Sequence, residues 1–319
     1  MSSGFISSLS EALQITAPIF LLVVLGIFLK RFRILNEGFI DAASKLVFTV
    51  GLPCLLFLTI VRTHLETILN IKLLLVGLGS TTLIFIALSL ISIVLITNKR
   101  ERGIFIQGSF RGNMGIIGLA FCLNAYGETG IALASVYMAT LTILYNLLSV
   151  VTLTHTLTTS QNNLARQIFT NIIKNPIVIS IVLGFVALAI QLPIHPVLLD
   201  SGNYLAQMTL PLALICIGGS INLKELRQSS YVSIVTVLMK LVLVPAACVL
   251  LALPFGFSKI EMGVVFLMAA APTATASYIM VQAMKGNGVL AANIIVLSTL
   301  ASVVTGSLGI VVLRSFSII

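Results

Sequence analysis

Charge is scarce in this sequence. Asp, Glu, Lys and Arg together make up 8% of its 319 residues, hydrophobic residues 58%, and the mean hydropathy is +1.15. A soluble domain needs a polar shell of roughly 25% charged residues, so a water-soluble fold is excluded and the apolar stretches must face lipid. Hydrocarbon offers the backbone no water to bond, which leaves α-helices or a closed barrel. Uninterrupted apolar runs of about 20 residues fit helices and exclude the alternating strands of a barrel. The fold class expected is an all-α polytopic membrane protein.

Other absences narrow the function. The sequence has no HExxH, GxSxG or Walker motif and no paired aspartates within an apolar run, so no catalytic residue is assigned and an enzyme is not expected. Cys54, Cys122, Cys216 and Cys248 sit in apolar stretches without CxxC spacing; they read as packed free thiols, with no metal site and no cofactor implied. The net charge of +9 invites a nucleic-acid reading, but the basic residues lie at segment ends rather than on one polar face, so nucleic acid is not an expected partner. The N-terminus lacks the basic region and cleavage site of a secretory signal, and the first apolar segment is expected to persist as a helix.

What is there is a series of apolar segments. Helices are expected at 12–29, 39–61, 71–97, 104–124 and 129–156, then at 175–191, 197–221, 230–254, 260–283 and 288–313. Loops after the odd-numbered segments hold eleven basic residues, among them Lys30, Arg100, Lys174 and Lys285, whereas the opposite side holds only Arg62, Lys72, Lys259 and Arg314. Basic loops stay cytoplasmic, so both termini are expected on the non-cytoplasmic side. The two sets of five repeat each other. Shifted by 158 residues, Pro18-Ile19 falls on Pro176-Ile177 and Leu52-Pro53 on Leu210-Pro211; shifted by 159, Asn113 falls on Pro272 and Gly127 on Gly286. An odd number of helices per set makes the repeat inverted. Residues 1–157 are expected as the first repeat, 158–174 as a short cytoplasmic connector and 175–319 as the second repeat.

Inverted-repeat carriers hold substrate near the bilayer midplane, where interrupted helices from each half meet. In the fourth segment, Gly108-Ser109-Phe110-Arg111-Gly112-Asn113-Met114-Gly115 sets polar residues and glycines inside an apolar run, and a helix break is expected between Gly108 and Gly115. In the ninth, Ala271-Pro272-Thr273-Ala274-Thr275 removes a backbone donor, and its threonine hydroxyls are suited to re-satisfy the freed carbonyl. Glycine and proline also serve plain tight packing between membrane helices, a reading that their symmetry-equivalent placement weakens. The half-helix N-termini at such a meeting point favour a carboxylate. A cation at the bilayer centre costs at least about 2.5 kcal/mol and marks a pathway or a paired site. Arg111 and Lys240 lie deep, whereas Lys45 is close enough to a segment end to snorkel. No Asp or Glu lies as deep, so an anionic substrate is expected. Asn146 is a further polar candidate, with bonding to a neighbouring helix as the competing explanation.

Taken together, the Lys45-Leu46-Val47-Phe48 run before Pro53, Arg111-Gly112-Asn113 followed by Tyr126-Gly127, Asn175-Pro176, Pro211 before Ile217-Gly218-Gly219-Ser220, Lys240 with Pro245, and Pro272-Thr273-Ala274 resemble the auxin efflux carrier family. That family includes plant PIN-type carriers and bacterial permeases described as malate or malonate transporters, and the likeness spans nearly the whole chain. The resemblance implies ten helices as a five-plus-five inverted repeat, with helices 1, 2, 6 and 7 as scaffold and the rest as a moving transport domain; Pro53 and Pro211, like Gly108 and Gly115, are expected as helix-break or hinge points. It implies substrate contact at Arg111, Gly112, Asn113, Pro272, Thr273 and Thr275, with Lys240 and Asn146 nearby, an elevator-like movement, a homodimer and residence in a cytoplasmic (inner) membrane. The plant carriers have proline at both crossings, whereas this chain has Asn113 at the first, which implies a softer break. The long hydrophilic loop of many plant members is missing, which argues against auxin and for a small carboxylate or dicarboxylate. Two other readings stay open: a sodium-coupled symporter like the bile acid family, and a membrane receptor that binds without transporting.

Overall fold

The structure, a computed structural model, describes residues 2–62, 70–157, 174, 176–221 and 230–319, the side chains of 2–9 and 283 excepted. The connector expected at 158–174 therefore lies, but for Lys174, outside the described residues, as does Asn175. Among the described residues the chain is helical, and the single β pairing is an isolated bridge between Gly112 and Thr273. The first part comprises α1 (Ser2–Arg31), α2 (Glu37–Leu46), α3 (Leu52–Val61), α4 (Ile71–Leu95), α5 (Lys99–Phe110) and α6 (Leu119–Leu157). The second comprises α7 (Pro176–Ala189), α8 (Pro196–Ser220), α9 (Tyr231–Leu238), α10 (Val244–Ala252), α11 (Lys259–Ala270), α12 (Ala276–Ala283) and α13 (Gly288–Ser315). Among the described residues, six helical stretches are long and apolar enough to cross a membrane, from Ser10–Arg31 to Gly288–Ser315.

Short polar residues start the helices where the apolar runs begin. The side chains of Asn36, Asn70, Asn98 and Asn287 accept from backbone amides of the first turns of α2, α4, α5 and α13. Ser230, and Ser258 with Glu261, form capping boxes at α9 and α11, satisfying donors that a helix start leaves orphaned. Outward faces stay apolar, as at Val94, which is 85% exposed. Such a side chain belongs against lipid.

Two groups of helices pack side by side. In one, α8 lies against α1, α2 and α3, and α3 against α7. Glycine makes the α1–α8 contact possible: a Cβ on Gly218 would lie 1.9 Å from the Val23 carbonyl oxygen, and one on Gly26 2.2 Å from that of Ile215. Small residues let membrane helices approach this closely. In the other group, α10 and α6 pack on α11, α5 on α4 and α6, and α9 on α13.

Wide turns interrupt the long helices. π-Helical turns at Val47–Gly51 and Met239–Leu243 directly precede Leu52-Pro53 and Val244-Pro245. Proline removes a backbone donor and crowds the preceding turn, and a π turn widens the helix there. The chain thus continues through Pro53, and α8 likewise continues through Pro211. The helices read from sequence as 104–124 and 129–156 meet at Gly127, and the first is interrupted within the segment Gly108 to Gly115, where a break is expected. α5 stops at Phe110, and helix resumes at Met114 and runs to Leu157 with one non-helical residue, Gly127 at φ 59°. A positive φ suits glycine, which has no Cβ to clash. α5 and α11 have twelve residues each, about 18 Å at 1.5 Å per residue against a hydrocarbon core of about 30 Å. Neither is long enough to cross it.

Candidate functional site

The two short helices stop beside each other. After Phe110 the backbone of Arg111 is extended, at φ −84° and ψ 95°, and after Ala270 that of Ala271 is too, at φ −56° and ψ 136°. The unwound segments run antiparallel: the Asn113 amide donates to the Pro272 carbonyl at 2.6 Å, and the Ala274 amide to the Arg111 carbonyl at 3.0 Å. Each segment supplies the bonding that the other's missing helix turn would have made. The Thr273 hydroxyl donates to the Gly108 carbonyl at 2.7 Å, and the Thr273 amide to the Ser298 hydroxyl at 3.1 Å. The threonine hydroxyl therefore satisfies the opposite helix end, at α5, rather than its own.

A cavity of about 500 Å³ opens on this crossing. Its wall includes Arg111, Gly112, Asn113, Gly115, Asn146 and Thr275, closed by Phe48, Thr49 and the start of α7. Arg111 Nη2 donates to Asn146 Oδ1 at 2.8 Å, and Nη1 donates to Ser149 Oγ and Met280 Sδ, both at 3.1 Å. A guanidinium has five donors, so Nε–H and one Nη2–H remain for a ligand. The side-chain amide of Asn113, unlike its backbone N–H, makes no hydrogen bond among the described residues. Met114 and Gly115 on one side and Ala276 on the other begin the resumed helices; the Ser277 and Tyr278 amides donate to the Ala274 and Thr275 carbonyls, which leaves the Ala276 amide as the first-turn donor of α12 without a partner among the described residues. Among the described residues, none that lines the cavity is Asp or Glu. The wall therefore offers a cation, two helix starts and neutral amides, an arrangement matched to an anion.

The remaining residues read from sequence fall into three places. Pro272 and Thr273 form the backbone of the crossing behind the wall, Thr273 being 1% exposed. Lys240 does not line the cavity: fully buried, it donates to the Ala269 carbonyl at 2.7 Å on the far side of Gly112. Gly108 sits in the last turn of α5, where a Cβ would meet Thr236 Cγ2 at 2.9 Å, so it serves close packing. Pro53 lies away from the crossing, and Pro211 lines a second cavity of about 320 Å³ with Arg62 and Glu128. Ser149 and Met280, which hold the Arg111 guanidinium, were not singled out by sequence. Ser149 follows Asn146 by three residues and so shares its face of α6, the one signal that pointed to it.

A sequence profile described as membrane transport protein matches residues 12–310. The chain belongs to this family, that of the auxin efflux carriers. No curated protein matches the sequence. Membership makes this carrier a multi-pass membrane transporter of a small molecule.

Proposed function

We propose that this carrier moves small organic anions, carboxylates or dicarboxylates such as malate or malonate, across a cytoplasmic membrane. The observation that carries the reading is the cavity at the crossing, where Arg111, the Asn113 amide and the starts of two resumed helices meet with no carboxylate in the wall. In this reading a substrate carboxylate takes the free Arg111 donors and the first-turn amides beside Asn113 and Thr275. Asn146 and Ser149 hold the guanidinium in place, and Pro272, Thr273 and Gly112 keep the crossing shaped around it.

The wider reading follows the resemblance: ten membrane crossings as a five-plus-five inverted repeat, both termini on the non-cytoplasmic side, and a homodimer through the scaffold. The group built on α1–α3, α7 and α8 is the scaffold. The group carrying the crossing slides against it as an elevator, so that the site faces each side in turn. Two cavities at the boundary of the groups, one holding the crossing and one lined by α1, α3, α6 and α8, support this reading.

The test is counterflow of labelled mono- and dicarboxylates in proteoliposomes, with Arg111→Ala beside wild type. A hydrogen bond to a charged group contributes about 1.5–3 kcal/mol, so the variant is expected to lose about ten- to hundredfold in apparent affinity. Undiminished transport by the variant would falsify the role of Arg111. With no acidic side chain in the cavity wall, uptake is expected to be the same with and without a sodium gradient. Uptake that requires sodium would favour a bile-acid-type symporter, and binding without counterflow a receptor.

A further inference from the structure

Lys240 is buried to 0% exposure, and no carboxylate among the described residues lies within 4 Å of its Nζ. Nothing in the proposed chemistry of the cavity uses it. Its surroundings are nonetheless polar and specific. Nζ donates to the Ala269 carbonyl at 2.7 Å. A Cβ placed on Gly112 would lie 3.1 Å from Nζ, 3.3 Å from the Ala271 oxygen and 3.4 Å from the Met268 oxygen. The ammonium thus sits among the last carbonyls of α11, against the unwound backbone of the other segment. A helix C-terminus leaves carbonyls unpaired and carries partial negative charge, and this end of α11, from Met268 to Ala271, is buried in the protein, away from water. Lys240 reaches it from the π turn Met239–Leu243.

We propose that Lys240 is a positioning residue: an internal cation that pins the C-terminal end of α11 to Gly112 and so keeps the two unwound segments crossed. The two breaks are then held differently. The repeat offset of 159 residues sets Lys240 against Thr81, so the α5 end has no matching cation, and its Gly108 carbonyl is satisfied by the Thr273 hydroxyl instead. Gly112 leaves room for this arrangement, since a Cβ there would crowd the ammonium and two carbonyls at 3.1–3.4 Å.

The experiment is amide hydrogen exchange of the whole protein in lipid nanodiscs, which depends on no substrate. In Lys240→Met, which keeps the length and removes the charge, peptides covering 108–118 and 268–278 are expected to exchange about tenfold faster or more, with α1 and α8 unchanged. In Lys240→Ala, ethylammonium is expected to restore protection at the crossing and ethanol, of similar size, is not. Unchanged exchange at the crossing in Lys240→Met overturns the proposal, as does uniform loosening of the whole protein. Equal restoration by ethanol and ethylammonium also overturns it, because it reduces Lys240 to packing. The proposal rests on the substrate reading only for its transport consequence, a fall in malonate counterflow in both variants. If wild type moves no carboxylate, the substrate reading fails while the exchange result still decides the role of Lys240.

Discussion

At the scale of single residues, the crossing is held by a few hydrogen bonds whose donors can be removed one at a time. Thr273→Val keeps the shape and deletes the hydroxyl that reaches Gly108, leaving a buried carbonyl without its partner. Such a loss costs about 1–3 kcal/mol. The variant is expected to unfold at lower temperature in detergent and to transport more slowly, with carboxylate affinity changed less than turnover. An unaltered melting midpoint would show that the hydroxyl is dispensable. Arg111 and Lys240 were both legible as deep cations, because charge in an apolar run stands out. Their opposite placements were not legible. Arg111 ends a helix and faces a cavity, whereas Lys240 sits in a π turn that turns it toward α11; Pro245 is the one sign of that turn in the sequence, and it does not say which way Lys240 points.

At the scale of elements, hydropathy located the apolar helices to within a few residues, since lipid imposes length and composition on them. The internal ends were legible from residue type rather than hydropathy: Phe110 falls within the break expected between Gly108 and Gly115, and Ala270 directly before the one expected at Pro272. Phe110 and Ala270 close their helices in the middle of apolar runs, where the deciding factor is a hydrogen-bonding partner more than 150 residues away in the chain, between Asn113 and Pro272. Gly127 was visible as a glycine, but not as the single positive-φ residue within the long Met114–Leu157 stretch. Helix contacts give a sharper expectation. Gly218→Ala sets a methyl group against the Val23 carbonyl, where backbone must move rather than a side chain tip. It is expected to destabilise the protein by about 1–3 kcal/mol, as overpacking does. Gly79→Ala on α4, with nothing within 4 Å of its added methyl, is expected to gain about 0.5–1 kcal/mol from helix propensity. Thermal unfolding of the two variants side by side checks both signs, and equal effects would refute the close α1–α8 contact.

At the scale of the whole molecule, the imbalance of buried charge has an electrical consequence. Arg111 and Lys240 place two positive charges at the crossing, and no acidic side chain lines the cavity beside them. If the crossing travels along the membrane normal, as proposed, it carries those charges through the membrane potential, at about 2.3 kcal/mol per elementary charge for each 100 mV fully crossed. A bound dicarboxylate cancels both charges, so the loaded protein is nearly blind to voltage and the empty one is not. Exchange of malonate for malonate, in which the site is loaded in both directions, is expected to proceed at the same rate with or without an imposed potassium diffusion potential. Net uptake, which requires an empty return, is expected to change with it; exchange that responds as strongly as net uptake would contradict the charge count. With the proposed movement, an interior negative potential would draw the empty, doubly positive site toward the cytoplasmic face, so the resting voltage of the cell would bias which side the unloaded protein waits on.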